Sequence, residues 1–278
     1  MVATPIGNMG DLAPRAMAAL RGADAVLCED SRTTGAMLAR LGVEATLIPL
    51  HDHNEAAQVP KMLERLEQGQ RLVLVSDAGT PLVSDPGFRL ARAAMAQGLP
   101  VSAIPGPNAA LMALILSGLP PQPFLFQGFL PPRAAARDGV LQRLKGLERA
   151  GLAASLIFYE APHRLAETLA GMAQAFGAER PAAVARELTK RFEEIRRDTL
   201  GNLAAHYATA EARGEICIVV GPAAEEAAAD ATELDTKLRE AFAAGLSVKD
   251  AADAVAAATG LKRRDVYRQA LTILGDQG

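Results

Sequence analysis

Short apolar runs of strand length alternate with amphipathic stretches of helical period over the first 220 residues of the chain. That alternation is the pattern of an α/β protein whose strands are mostly parallel and joined by crossover helices. It predicts strands at 2–4, 24–28, 45–50, 71–76, 101–104, 124–128, 155–160, 182–188, 192–197 and 215–220. RLVLVSDAGTP is the plainest of them, a near-continuous apolar run closed by Asp, Gly and Pro. Helix starts carry their own marks. Asp85-Pro86 and Ala161-Pro162 each put proline at a first helical position, with Asp85 as N-cap. FRLARAAMAQG and HRLAETLAGMAQAFG then run to glycine stops.

The stretch SGLPPQPFLFQGFLPPR is rich in proline and loses helical periodicity, which marks a linker. It divides an α/β lobe at 1–117 from a second α/β lobe at 118–222, with the boundary near 117–123. After the last strand the chain turns alanine-rich and acidic (GPAAEEAAADATELD) and leads into a wholly helical tail at 230–278. Three short helices are expected there, in KLREAFAAG, SVKDAADAVAAATG and KRRDVYRQALTIL, with Ser247 and the Gly260-Leu261-Lys262 corner as caps. This spacing fits a helix–turn–helix.

Composition narrows the class. At 278 residues the chain has room for about two domains and a sizeable core. Apolar residues at 50% and charged residues at 22% exclude long disordered or fibrous architecture. Cys28 and Cys217 each lie in an apolar run, where a thiol serves as a small buried hydrophobe, so a reducing cytosol is expected and a disulfide framework is excluded. The start, MVATPIGNMGDLAPR, lacks the basic and apolar regions of a secretory signal, and export is not expected. The longest apolar run, Ala109 to Leu116, falls far short of the roughly 20 residues that span a bilayer. With a net charge of −3, a polyanionic partner has to be met by a local basic cluster.

Five loops that follow apolar strands concentrate Gly, Pro, Asp and Asn: 4–8, 29–32, 76–81 with 84–87, 104–108 and 159–162. In a parallel sheet such carboxyl-end loops line one crevice, so a small-molecule pocket is expected. The loops contain neither G-x-G-x-x-G nor G-K-[ST], which argues against nicotinamide and nucleoside triphosphate ligands. Acids and backbone carbonyls without basic phosphate contacts suit a ligand whose important charge is positive, such as the sulfonium of S-adenosylmethionine. Taken alone, 29–32 also reads as a helix N-terminus capped by Asp30 or Ser31, and 77–81 as a tight turn. His51-Asp52-His53 offers too few ligands for a metal site, and G-x-S-x-G is missing, which disfavours a hydrolase.

VATPIGNMGDLAPRAMAALRGADAVLCEDSRTT, HNE, LVSDAGTPLVSDPG, IPGPNA, FYEAPHR and VARELTKRFEE resemble, in order from Val2 to about Gly221, the ribosomal RNA small subunit methyltransferase I family. That family is a branch of the tetrapyrrole (corrin/porphyrin) methylase superfamily, and the helical tail also looks like the one appended in that branch. The resemblance implies a two-lobed enzyme, commonly a homodimer, that holds S-adenosylmethionine between its lobes. It further implies 2′-O-methylation of a cytidine ribose in the decoding region of 16S ribosomal RNA, free or in the small subunit, in the cytoplasm. Relatives usually carry several more residues before VATPIG, so the first strand is expected to be short.

Carried over from the family, the cofactor residues are Pro5, Asp77, Gly79, Thr80, Asn108, Ala109, Tyr159, Leu188, Thr189, Glu215 and Ile216. Proton acceptors for the ribose hydroxyl are sought among Glu29, Asp30, Glu160 and Lys190. Asp30 is expected nearest the acceptor, with Arg32 steering the adjoining phosphate. RNA contacts are expected from Lys262, Arg263, Arg264 and Arg268, three of them consecutive cations. Tyr267 reads as core through its i,i+4 partner Leu271, and Lys190-Arg191 with Arg196-Arg197 reads either as a second RNA patch or as a salt-bridged strand. Rival readings are C-methylation of a tetrapyrrole, which has no need of a cationic tail, and a non-catalytic RNA-binding assembly factor.

Overall fold

The computed structural model describes residues 1–223, 231–261 and 263–275. Helix α1 (Pro14–Arg21) leads to β1 (Ala25–Cys28), α2 (Ser31–Arg40), β2 (Leu47–Pro49), α3 (Glu55–Glu67), β3 (Leu72–Leu74), α4 (Phe88–Ala96) and α5 (Ala109–Ser117). There follow β4 (Phe124–Phe129), α6 (Ala134–Arg149), β5 (Ser155–Glu160), α7 (Leu165–Phe176), β6 (Pro181–Arg186), β7 (Glu194–Thr199), α8 (Leu200–Thr209) and β8 (Ile216–Val220). Helices α9 (Ala231–Ala243), α10 (Val248–Thr259) and α11 (Arg263–Gly275) are the last elements among the described residues. Residues 1–141 and 155–221 form one compact unit, and the described residues of 142–154 and 222–278 a second.

In the first unit a parallel sheet of order β2-β1-β3 carries the fully buried AVLC of β1 at its centre. Helices cover such a sheet on both faces, which is why its strands read as continuous apolar runs. Runs 2–4 and 101–104 depart from expectation, since they contribute only single bridges, Val2 to Ile104 and Thr4 to Gly79. Pro5, Pro100 and Pro105 remove the backbone donors that would extend those ladders.

The second sheet, β4-β5-β8-β6-β7, corrects the expectation of mostly parallel strands throughout. Only β4 and β5 run parallel, while β5 with β8, β8 with β6, and β6 with β7 are antiparallel. Residues 187–193, which join β6 to β7, are too few for a crossover helix, so the chain reverses direction. The edge strand β7, EIRRDT, carries charges that guard its unpaired side against another chain.

Helix α4 begins at Phe88, not after Asp85, and Asp85 is not its cap. Gly87 precedes it at φ 114°, where a Cβ would lie 2.4 Å from a Leu74 methyl. The N–H groups of Arg89 and Leu90, which have no partner within the helix, donate instead to Glu55 Oε1, at 2.8 and 3.2 Å. Glu55 reaches them from the first turn of α3 and is only 4% exposed. A carboxylate that accepts two backbone N–H groups at a helix N-terminus is stabilised there by the helix dipole.

The tail packs α9, α10 and α11 around Leu238, Ala251, Ala252, Val266 and Ala270, all fully buried. Alanine at the contacts lets the helix backbones approach closely. Ser247 caps α10 by accepting the Asp250 N–H at 3.2 Å, and Gly260 ends it at φ 74°. Because Val266, Ala270 and Ile273 take the inner face of α11, Tyr267 and Leu271 fall on its outer face. They are 37% and 50% exposed, which corrects the core assignment of Tyr267.

Replacing Glu55 by alanine removes the α4 cap and is expected to cost about 1–3 kcal/mol, read as a lower urea midpoint. Glu55→Gln, whose amide oxygen accepts the same bonds, should recover part of the loss. Equal midpoints for Glu55→Ala and the parent chain would show that the cap contributes nothing.

Candidate functional site

A cavity of about 370 Å³ opens where the loops of the first sheet face the ends of β5, β6 and β8 within the first unit. One wall comes from the loops 76–87 and 108–109. Ser76 Oγ donates to the Gly79 carbonyl at 3.1 Å, and Thr4 Oγ1 donates to the Ser76 carbonyl at 3.2 Å, so the start of the first loop is cross-tied. Gly79 holds φ 85°, and an added Cβ would sit 3.2 Å from Ile6, which explains glycine there. Thr80 Oγ1 donates to the Pro107 carbonyl at 3.1 Å and accepts from Asn108 Nδ2 at 3.3 Å. Asn108 Oδ1 in turn accepts the Leu111 N–H, capping α5.

The opposite wall is built by Phe129, Tyr159, Leu188, Glu215, Ile216 and Cys217. The Tyr159 ring packs edge-on to Phe126 at 4.9 Å between centroids and lies 5.5 Å from Phe129, which is 55% exposed. Behind them Glu160 is buried and fully engaged. It accepts from the Ala161 N–H at 2.8 Å and Thr168 Oγ1 at 2.6 Å, and pairs with Arg164. Glu187 (φ 52°) and Thr189 (φ 66°) both hold the left-handed region, a strained backbone of the kind that clusters at ligand clamps. Glu187 Oε1 secures this turn by accepting from Lys190 Nζ at 2.9 Å and from the Glu215 N–H at 3.1 Å. A Cβ on Gly214 would overlap that same carboxylate at 2.3 Å.

Asp85 stands apart in its electrostatics. It lines the cavity half-buried and makes no hydrogen bond or ion pair among the described residues. Burial, reinforced by the charges of Glu29 and Asp77, pushes its carboxyl up to about 7. Glu29 is raised as well, by burial and then by Asp77 and Asp52. Asp30 behaves in the opposite way. Hydrogen bonds from the Arg32 side chain and backbone hold it at about 2, and its carboxylate caps α2. Burial raises Tyr159 to about 12, which keeps its hydroxyl protonated.

The structure brings together Asp77, Gly79, Thr80, Asn108, Ala109, Tyr159, Glu160, Leu188, Glu215 and Ile216 in this one cavity. Pro5, Glu29, Asp30, Arg32, Thr189 and Lys190 do not line it. Lys190 Nζ lies 2.9 Å from Glu187 and 3.3 Å from Glu215, and Arg196 pairs with Glu194, so much of the basic group around β7 is salt-bridged. Arg263, Arg264 and Arg268 are exposed on α11, paired with Asp253, Asp265 and Asp265. Lys262 lies outside the described residues. Sequence reasoning singled out 84–87 as a functional loop but did not name Asp85 as a site residue, and it passed over Phe129. The bulge at Gly128, φ 73°, is what turns the chain at Phe129. His51 and His53 lie 6.1 Å apart, and no group of three potential metal ligands occurs among the described residues. A larger cavity of about 520 Å³ beside β3 and α4 is apolar apart from Gln70, Arg71 and Ser102 and holds no acid.

Residues 1–204 match the family of tetrapyrrole (corrin/porphyrin) methylases, and residues 228–274 match the RsmI C-terminal HTH domain. A curated relative from Mesorhizobium japonicum, "Ribosomal RNA small subunit methyltransferase I", is 46% identical over all of this chain and 92% of its own length. One of the same name from Xylella fastidiosa is 46% identical over 96% of each chain. Among solved structures, a uroporphyrin-III C-methyltransferase from Thermus thermophilus complexed with S-adenyl homocysteine superposes with a TM-score of 0.54. It is 17% identical, covering 79% of this chain and 95% of that one, a likeness of fold.

The raised Asp85 carboxyl fixes the sign of a stability effect. Between about pH 4 and 7 the folded chain holds a proton there that the unfolded chain has lost, so this residue makes stability fall as pH rises through that window. Asp85→Asn should therefore melt a few degrees higher than the parent at about pH 8, with the gap closing towards about pH 4. Differential scanning fluorimetry across the range reads this directly; a variant that melts lower at pH 8 would contradict the assignment.

Proposed function

The chain belongs to the tetrapyrrole (corrin/porphyrin) methylase family, and we propose from that footing that it uses S-adenosylmethionine to methylate the ribose 2′-oxygen of a cytidine in the decoding region of 16S ribosomal RNA. The observation that carries this reading is the near-full-length identity, 46%, to curated relatives named for ribosomal RNA methylation. The tail points the same way, since a tetrapyrrole methylase has no need of an exposed arginine face such as that of α11.

The cavity fits the donor in size and chemistry. About 370 Å³ suits a nucleoside-sized ligand, and Asp77 and Asp85 provide negative charge for a cationic sulfonium. The Thr189 Oγ1 is buried without a partner. Beside it, a Cβ at Gly7 would overlap Lys190 at 2.3 Å, so only glycine lets these two loops meet. Asp77, Gly79, Thr80, Asn108 and Ala109 would hold the donor from one wall, and Tyr159, Leu188, Glu215 and Ile216 from the other, with Pro5 and Thr189 behind them. When bound, the donor supplies an electrophilic methyl group.

The protein's task is positioning: the acceptor oxygen has to be held about 3 Å from the methyl carbon and in line. Leu188, Ile216 and Cys217 exclude water from that space, and Tyr159 presents a protonated hydroxyl. Arg32, paired with Asp30 at 2.8 Å but with its side chain 91% exposed, would meet a phosphate next to the target sugar. Arg263, Arg264 and Arg268 would hold more distant RNA by phosphate contacts, and exposed Tyr267 supplies a stacking face. The exposed Phe88 and Met95 of α4 and Leu111 and Ile115 of α5 favour assembly as a homodimer. Its place of action is the cytoplasm, where the ribosomal substrate is made.

Mass mapping of ribose methylation in 16S RNA from cells with and without the gene tests the proposal: one cytidine should lose its 2′-O-methyl mark. Arg264→Glu with Arg268→Glu should weaken RNA binding about tenfold or more and flatten its salt dependence, while calorimetry shows donor affinity unaltered. An unchanged methylation map would refute the assignment.

A further inference from the structure

We infer that Asp85 is the proton acceptor of the methyl transfer, taking the hydrogen of the ribose 2′-hydroxyl as the oxygen attacks. The inference rests on the reaction proposed above and names the residue that would serve it. Four observations lead to Asp85. It lines the cavity from the wall built by the loop 76–87 and has no hydrogen-bond or ion-pair partner among the described residues. The backbone around it is held in an unfavourable form, with Leu82 at φ 71° and Ser84 at φ 66°, both in the region that side chains avoid. The helix that follows would ordinarily use Asp85 or a neighbour as N-cap, yet that work is done from α3 by Glu55, which leaves Asp85 free. Finally, the other acids at the cavity are engaged. Asp77 accepts the Asp30 N–H at 3.2 Å, Glu160 is bound by three donors, and Glu215 pairs with Lys190.

The groups that act on Asp85 are Glu29 at the end of β1, Asp77 after β3 and Tyr159 on β5. The two acids and burial raise it to about 7, where a carboxylate is still ionised in half the molecules at neutral pH and is a far better base than an ordinary aspartate. Asp30 is the reverse case, outside the cavity, bonded to Arg32 and held at about 2. In the transfer, the bond between the ribose oxygen and the methyl carbon forms as the carbon–sulfur bond breaks, and its electron pair stays on sulfur. The hydroxyl proton passes to an Asp85 oxygen and leaves later to water.

The test uses the full-length protein, labelled methyl donor, and both 16S RNA and small subunits as acceptor. Asp85→Asn should lower kcat by about 10²- to 10⁴-fold, while donor affinity by calorimetry falls by no more than about tenfold, the loss expected when one charge facing the sulfonium is removed. The parent's kcat should rise with pH and level off, and the variant should lack that limb; with the cationic donor bound the limb falls below about pH 7. Carboxyl carbon NMR of ligand-free protein should show one aspartate titrating near pH 7 that disappears in the variant. Asp85→Glu should restore part of the rate. An Asn variant with parental kcat and parental pH limb overturns the role, and so does one that loses donor affinity but keeps kcat. A parent protein that methylates no ribose overturns the reaction itself, an outcome distinct from an active parent with an active variant.

Discussion

The contact on which the site most depends is the buried carboxylate of Glu55 at the N-terminus of α4. A helix start leaves several backbone N–H groups without partners, and burying them unsatisfied costs more than a net hydrogen bond returns. Most helices meet that need from the residue just before the helix. Here it is met from another helix, thirty-odd residues away in sequence, so the segment ahead of α4 is released from capping. The segment then adopts left-handed turns at Leu82, Ser84 and Gly87 and delivers an acid to the cavity.

The two sheets contribute in different ways. The parallel sheet gathers its loops at one end, as strand direction requires, and those loops provide the acids and the tight glycine turns. The mixed sheet contributes the apolar wall: adjacent antiparallel strands β6 and β8 bring Ala185 and Cys217 side by side in register, next to Tyr159 on β5. An acidic wall opposite an apolar one raises the carboxyl values, because low-dielectric neighbours disfavour charge and the acids repel one another. The free protein is thereby destabilised locally in the region that a cation would relieve.

In the tail the division of labour is simpler. Small residues bring α10 and α11 together, and the packing of Val266, Ala270 and Ile273 determines which residues turn outward. Arginines and a tyrosine end up on one exposed helix surface, their charges partly balanced by Asp253 and Asp265. A polyanion competing for those arginines would displace carboxylates that exposed ion pairs hold only weakly.

The sequence by itself determined the alternation of strands and helices, the buried thiols, the caps at Ser247 and Gly260, and most of the loops that line the cavity. Each of these rests on local pattern, whether an apolar run, a proline, a glycine or a cap, and local pattern survives in one dimension. Other features were decided only in three dimensions. Strand direction in the second sheet followed from which strands became neighbours. The outward turn of Tyr267 followed from which face of α11 met its partners. The exchange of roles between Glu55, Asp85 and Asp30 followed from long-range contacts: an Asp-Pro before an amphipathic run looks like a cap whether or not a distant carboxylate has taken the position. Asp30, which does look like an active acid in sequence, is held by an arginine two residues on, whereas Asp85 draws its basicity from burial and from Glu29 and Asp77, which only folding brings near.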